Sequence, residues 1–195
     1  MKIIKRNTDN IVLYAGDSLT LDTRATNGEW QDLNANSTTH TLIDSVNLPA
    51  DFTGGYYTYI AGVWALTASG QAAVDAILST LKTAKNLQIN EWRATANQTY
   101  FTHLGKQVAC DELSRSDIDA VAGSISLSGV FPASFPGAWK AIDNSYIMLP
   151  DVAAFKAMYA SMTTQGTVNF GKSQALKTQL AAATTAAQVN ALVWV

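Results

Sequence analysis

The stretch that decides the fold is Ala68 to Tyr100, ASGQAAVDAILSTLKTAKNLQINEWRATANQTY. It contains no proline, and its apolar residues recur every three or four positions, so it reads as one long helix. Val74, Ile77, Leu78, Leu81, Ala84 and Leu87 form a first stripe, and Ile89, Trp92, Ala96 and Tyr100 a second on a slightly rotated face. Thr67 or Ser69 is a good N-cap, because a hydroxyl oxygen accepts a hydrogen bond from an otherwise unpaired amide of the first turn. The first stripe has two readings. Either it packs on its own module, or it is a short seam between copies of the chain. About two heptads are present, where three or four make a convincing coiled coil. Val74, Ile77, Leu78 and Leu81 are the candidate self-association residues.

Everything before the helix reads as short strands separated by turns. Lys2 to Arg6 and Ile11 to Ala15 flank the polar turn Asn7-Thr8-Asp9-Asn10. Leu19-Thr20-Leu21 follows Gly16-Asp17-Ser18, and Asn27-Gly28 is a hairpin dipeptide. Thr39 to Asn47 is a further strand. Tyr56 to Ile60 turns through Ala61-Gly62 into Val63 to Leu66, a terminal hairpin. Five or six short strands in this span predict a small antiparallel sandwich or sheet.

After the helix the pattern is mixed. Phe101 to Asp111 reads as a hairpin with Gly105-Lys106 at its turn. Ser114 or Ser116 is expected to cap a helix running to about Leu127. The segment 129–137 holds two prolines and two glycines and must be loop. Trp139 to Leu149 predicts a second hairpin turning at Asp143-Asn144. Pro150 suits the first position of a helix ending near Met162. Another helix is expected over Phe170 to Ala183, and a last short one opened by Thr184 or Thr185 and ending at Trp194. The expected class is therefore α+β. A β-rich N-terminal module covers 1–66, a connecting helix 67–100 and a small α+β module 101–195.

Composition narrows the function classes. Hydrophobic residues make up 48% of the 195, charged ones only 14%, against a usual value of about 25%. The net charge is −2, and Lys2, Lys5 and Arg6 with Lys82 and Lys85 are the densest basic clusters. Nucleic-acid binding needs several clustered phosphate contacts, so no nucleic-acid partner is expected. The single cysteine, Cys110, excludes an internal disulfide and a cysteine-based zinc site. No apolar run approaches the ~20 residues of a membrane span. Met1 to Arg6 is too short for a signal peptide, so synthesis in the cytoplasm with no visible export signal is the expectation.

Gly166 to Ser173, GTVNFGKS, matches the spacing of a phosphate-binding loop. That loop needs a buried strand before it and an acidic magnesium ligand elsewhere. Here a helical pattern, Phe155, Met158, Tyr159 and Met162, precedes it, and no acidic residue follows Ser173. The segment is read instead as a helix–helix connection capped by Asn169 or Ser173. His103 and Cys110 flank a predicted turn and would face each other in a nucleophile–base dyad, but no third group orients the histidine. Asp111-Glu112, Asp117 and Asp119 read as caps and solvated charges, and His40 has no second histidine to share a metal. No catalytic, cofactor or metal residue is assigned. Tyr56, Tyr57, Tyr59 and Trp64 lie close together beside Gly54-Gly55. Tyr57 and Trp64 are expected in the core, while Tyr56 and Tyr59 are the candidate exposed aromatic binding surface.

From about Arg93 the order of residues resembles a C-terminal domain found in tail and tail-fibre-associated proteins of tailed bacteriophages. The matching positions are Arg93, Phe101, Gly105-Lys106, Asp111, Ile118, Trp139, Asp143-Asn144, Leu149 and Phe155. They continue through Phe170, Ser173, Leu176-Lys177, Ala182-Ala183, Leu192 and Trp194. The departure is Leu149-Pro150-Asp151, where the family pattern has a Thr or Ser cap. The opening, Lys2 to Leu21, more loosely resembles small N-terminal modules of phage tail proteins. The resemblance implies a non-enzymatic structural component of the virion tail: a fibre, fibre-attachment or baseplate subunit. Its partners would be other phage tail proteins and further copies of itself, as a homo-oligomer, with the N-terminal module as anchor. Two alternatives stay open, a tail-fibre assembly chaperone and a binder of host surface receptor or glycan.

Overall fold

The computed structural model describes residues 1–29 and 31–195. It is an α+β protein that divides into two compact units, Met1–Ser79 and Thr80–Val195.

In the first unit a five-stranded antiparallel sheet runs in the order β6-β1-β2-β7-β8. Its strands are β1 (Lys2–Arg6), β2 (Ile11–Gly16), β6 (His40–Ile43), β7 (Tyr57–Ile60) and β8 (Val63–Leu66). Three two-residue strands, β3 (Thr20–Leu21), β4 (Ala25–Thr26) and β5 (Gln31–Asp32), form a second, small sheet. Among the described residues eight strands thus replace the five or six expected, because pairings this short leave no alternation to read in the sequence. Successive strand residues face opposite sides of a sheet, and β1 uses both sides. Ile4 packs with Leu19, Ala25 and Ala35, while Ile3 packs with Val12 and Val46. Both faces of the central strands are therefore covered, which explains why β1 reads as a continuous apolar pair rather than an alternation.

The helix α1 spans Ala68–Thr99. The Thr67 hydroxyl caps it, accepting from the Gly70 amide at 3.0 Å and donating to the Gly55 carbonyl at 2.9 Å. Tyr100 leaves the helix and opens β9 (Tyr100–His103), paired with β10 (Lys106–Ala109). Leu104 and Gly105 make that turn with φ of 50° and 76°, the two-positive pattern of a tight hairpin.

The second unit continues with α2 (Glu112–Ser128), the hairpin β11 (Ala138–Lys140) and β12 (Tyr146–Met148), α3 (Val152–Ala182) and α4 (Ala186–Asn190). Its core joins Phe101 and Val108 of the first hairpin to Ile118 and Ile125 of α2, Ile147 of β12, and Phe155, Met158 and Met162 of α3. Phe131 and Phe135 stack at 4.3 Å and meet Phe155 edge-on, so the loop 129–137 folds back onto this core.

Four expectations need correction. The cap of α2 is Asp111, whose carboxylate accepts from the Ser114 amide; Ser114 and Ser116 lie inside the helix. The cap of α3 is Asp151, not a Pro150 start: Pro150 stands one residue before the cap. The two helices expected over Pro150 to Met162 and Phe170 to Ala183 are one uninterrupted helix of 31 residues, with Gly166 to Ser173 in its middle. The final helix opens at Thr185 as expected, through a reciprocal capping box with Gln188, but ends at Asn190 rather than Trp194.

Candidate functional site

The two stripes of α1 behave differently. In the second, Ile89 is completely buried, and Trp92 is half-buried with the Lys85 ammonium 5.3 Å above its ring. The first is largely open. Ile77 is 61% exposed, Leu87 59% and Val74 36%, with Leu78 and Leu81 half-buried. Inward packing thus accounts for Ile89 and in part for Trp92 and Ala96, while Tyr100 stays exposed, Val74 partly exposed and Ile77 mostly so.

The N-terminal aromatics are gathered around one indole. Phe52, Tyr57 and Tyr59 lie 5.8, 6.0 and 4.7 Å from the Trp64 ring. The indole N–H donates to the Asn47 carbonyl, and the Tyr57 hydroxyl to Asp51. Tyr57 is buried and Trp64 half-buried on the sheet. Tyr56 and Tyr59 are both half-buried, so Tyr59 is a wall of this cluster as well as a surface residue.

The polar candidates are dispersed. In the β9–β10 register His103 pairs with Lys106, at the turn end. The Cys110 amide bonds to the Thr99 carbonyl beyond the other end. The His103 ring contacts the Ser161 hydroxyl at 2.9 Å, and Cys110 accepts from Arg115 at 3.5 Å, so the two side chains engage different partners. Burial lowers the pKa of His103 below its usual 6.5. His40 is likewise lowered, first by burial and then by Arg6. Its Nδ1 meets the Thr39 hydroxyl at 2.8 Å, while its buried Nε2 has no partner among the described residues. Asp111 is a cap whose carboxyl is held below the usual range by the Ser114 amide. Gly166 to Ser173 is helical, so its amides are committed to the helix ladder rather than converging on a phosphate. No group of three or more metal-ligating side chains occurs among the described residues.

Three clefts among the described residues gather polar and aromatic side chains. In the first unit, about 430 Å³ is bordered by Arg6, Asn7, Asp32, Asn34, Thr38 and His40. In the second, about 510 Å³ lies beside Phe135, Trp139 and Tyr146, with Asp117, Lys140 and Asn144 at its edge. Another cleft of the second unit, about 390 Å³, lies among α1, α2 and α3 and brings together Arg93, Asn97, Arg115, Asp119, Tyr159 and Phe170. Sequence reading did not single out this last group. Its members are spread over three helices, and only the one-turn spacings of Arg93 with Asn97 on α1 and of Arg115 with Asp119 on α2 are visible locally.

Residues 80–193, more than half of the chain, match a protein family described as a domain of unknown function, DUF4376. The chain belongs to this family. No curated protein and no solved structure matches it. The matched span begins at the first residue of the second compact unit and holds the two clefts of that unit just described. The N-terminal sheets, with Tyr56 and Tyr59, lie outside it. Among the described residues, no helix is long and apolar enough to cross a membrane.

Proposed function

We propose that the chain is a non-enzymatic structural subunit of a bacteriophage tail, in a fibre, fibre-attachment or baseplate position, and that it self-associates through α1. The assignment to a tail rests on the sequence resemblance over about residues 93–195 and, more loosely, over the N-terminal module. The subunit role rests on one structural observation: Ile77 lies mostly exposed and Val74 partly so, on a helix whose Ile89 in the next stripe is fully buried. A solvent-facing row of branched aliphatics is costly unless something covers it. A second copy is the occupant that fits. With Leu78 and Leu81, these residues repeat at the three-and-four spacing of a helix seam, and a stripe of that kind is complementary to itself.

Light scattering of the purified chain at micromolar concentration tests self-association. An oligomer is expected, and Ile77→Asp should shift it to monomer while leaving the helical circular dichroism in place. A strictly monomeric parent chain would reject the seam. The tail assignment is tested by mass spectrometry of purified particles from the virus that encodes the chain. Presence in the mature virion is expected. Absence would favour the assembly-chaperone reading.

A further inference from the structure

The cleft among α1, α2 and α3 holds two guanidiniums, neither of them held in a direct ion pair among the described residues. Arg93 comes from α1 and Arg115 from α2, and both are half-buried. Arg93 lies 4.8 Å over the Phe170 ring, and Arg115 spends one N–H on the Cys110 sulfur, a weak acceptor. A guanidinium carries five N–H donors in a planar fork, so most of the donor capacity of both residues is unspent within the protein. Two buried-edge arginines meeting in one concavity repel each other unless an anion bridges them.

The other walls define the anion. Asp119 also lines the cleft, so two positive charges face one negative, leaving a single net positive charge. That balance suits a monoanion better than a doubly charged phosphate. Met162, Tyr159 and Phe170 supply apolar and aromatic surface beside the charges. Gly166 supplies room. A Cβ built there would meet no other atom within 4 Å, so no neighbour requires glycine, although glycine within a helix costs about 1 kcal/mol relative to alanine. Gly171 is equally unconstrained, but Gly166 is the one in the cleft wall. At about 390 Å³ the space falls within the range of small-ligand sites.

We propose that this cleft is a binding site for a small organic acid with an apolar or aromatic body. Arg93 and Arg115 grip its carboxylate, and the ring of Phe170 and the side chain of Met162 receive its body. Planar carboxylate matches the guanidinium fork with two parallel hydrogen bonds.

The experiment titrates the full chain with benzoate, with neutral benzamide and with inorganic phosphate at constant ionic strength, followed by calorimetry and by amide chemical shifts. Saturable benzoate binding is expected, with shifts on α1, α2 and α3 around the cleft and none produced by benzamide. Arg93→Gln and Arg115→Gln should each weaken it roughly tenfold or more, the loss of a charge-assisted hydrogen-bond pair. Gly166→Leu keeps both charges and favours the helix, yet its side chain fills the cleft. It should abolish binding without lowering the melting temperature. No saturation with benzoate, equal response to benzamide, tighter binding of phosphate, or affinity unchanged in the two glutamine variants would each overturn the proposal. None of these outcomes depends on self-association or on the tail assignment.

Discussion

Single residues carry constraints that residue type alone would hide. Gly70 sits in the first turn of α1, where alanine would ordinarily favour the helix. Here a Cβ would stand 2.3 Å from the Tyr56 carbonyl oxygen and 2.9 Å from a Leu66 methyl. Gly70→Ala is therefore expected to destabilise the first unit by about 1–3 kcal/mol, the cost of overpacking, and chemical denaturation would show it. An unchanged or improved midpoint would mean the backbone yields there. His40 and His103 set a pH response of definite sign. Burial depresses both pKa values below 6.5, so the unfolded chain takes up protons at a higher pH than the folded one. Stability from these neutral rings is complete above about pH 6.5 and is lost as pH falls through and below it. Urea midpoints at pH 7.5 and 5.5 should differ accordingly, and His40→Gln with His103→Gln should flatten the difference. A difference that survives the double substitution would assign it elsewhere. The depressed carboxyls of Asp9, Asp111 and Asp143 contribute stability that is complete above about pH 4 and is lost as pH falls below it, outside the histidine window.

At the scale of elements, most boundaries were legible because turns advertise themselves. Asn144 and Gly105 adopt positive φ at the two hairpin turns anticipated from Asp143-Asn144 and Gly105-Lys106, and α1 was evident from its period. The miss was α3. Its buried face runs Phe155, Met158, Met162, then Asn169, Ser173, Leu176 and Leu180. The spacing never leaves helical register, but Asn169 and Ser173 break the hydrophobic pattern, and Gly166 and Gly171 add the look of a turn. What permits polar residues there is local pairing. The Asn169 amide donates to Asn97 on α1 at 2.9 Å, and the Ser173 hydroxyl donates to the Phe170 carbonyl at 2.7 Å. Asn97→Ala strands the buried Asn169 amide and should cost about 1–3 kcal/mol. The double variant Asn97→Ala with Asn169→Leu should cost less than Asn97→Ala alone, since removing both polar partners avoids an unsatisfied group. A denaturant double-mutant cycle reads the coupling, and additive effects would deny that this pair holds the middle of α3 to α1.

At the scale of the whole chain, the α+β class followed from the change of pattern near Leu66, while the division into units did not. The strand-to-helix transition falls at Thr67, but the compact units meet between Ser79 and Thr80, part-way along α1. The reason is that the helix beyond this point is bound to the C-terminal unit by contacts far apart in sequence. Lys82 donates to the Ala181 carbonyl, Lys85 to the Leu192 carbonyl, and Ile89 is fully buried. No local pattern announces partners a hundred residues away. The family match starts at the same place, residue 80. Residues 80–195 should therefore fold by themselves. Their largest core cluster lies wholly within them, between Phe101 and Met162, and a domain of about this length can bury roughly two thirds of its unfolded surface. The isolated segment is expected to melt in one cooperative transition with the helical signal of α1 to α3 retained. Phe155→Ala, which empties the centre of the core, should lower its stability by about 3–5 kcal/mol and shift the matching transition of the full chain equally. A segment that melts without cooperativity, or a Phe155→Ala effect seen only in the full chain, would show that the N-terminal unit is needed to complete the C-terminal fold.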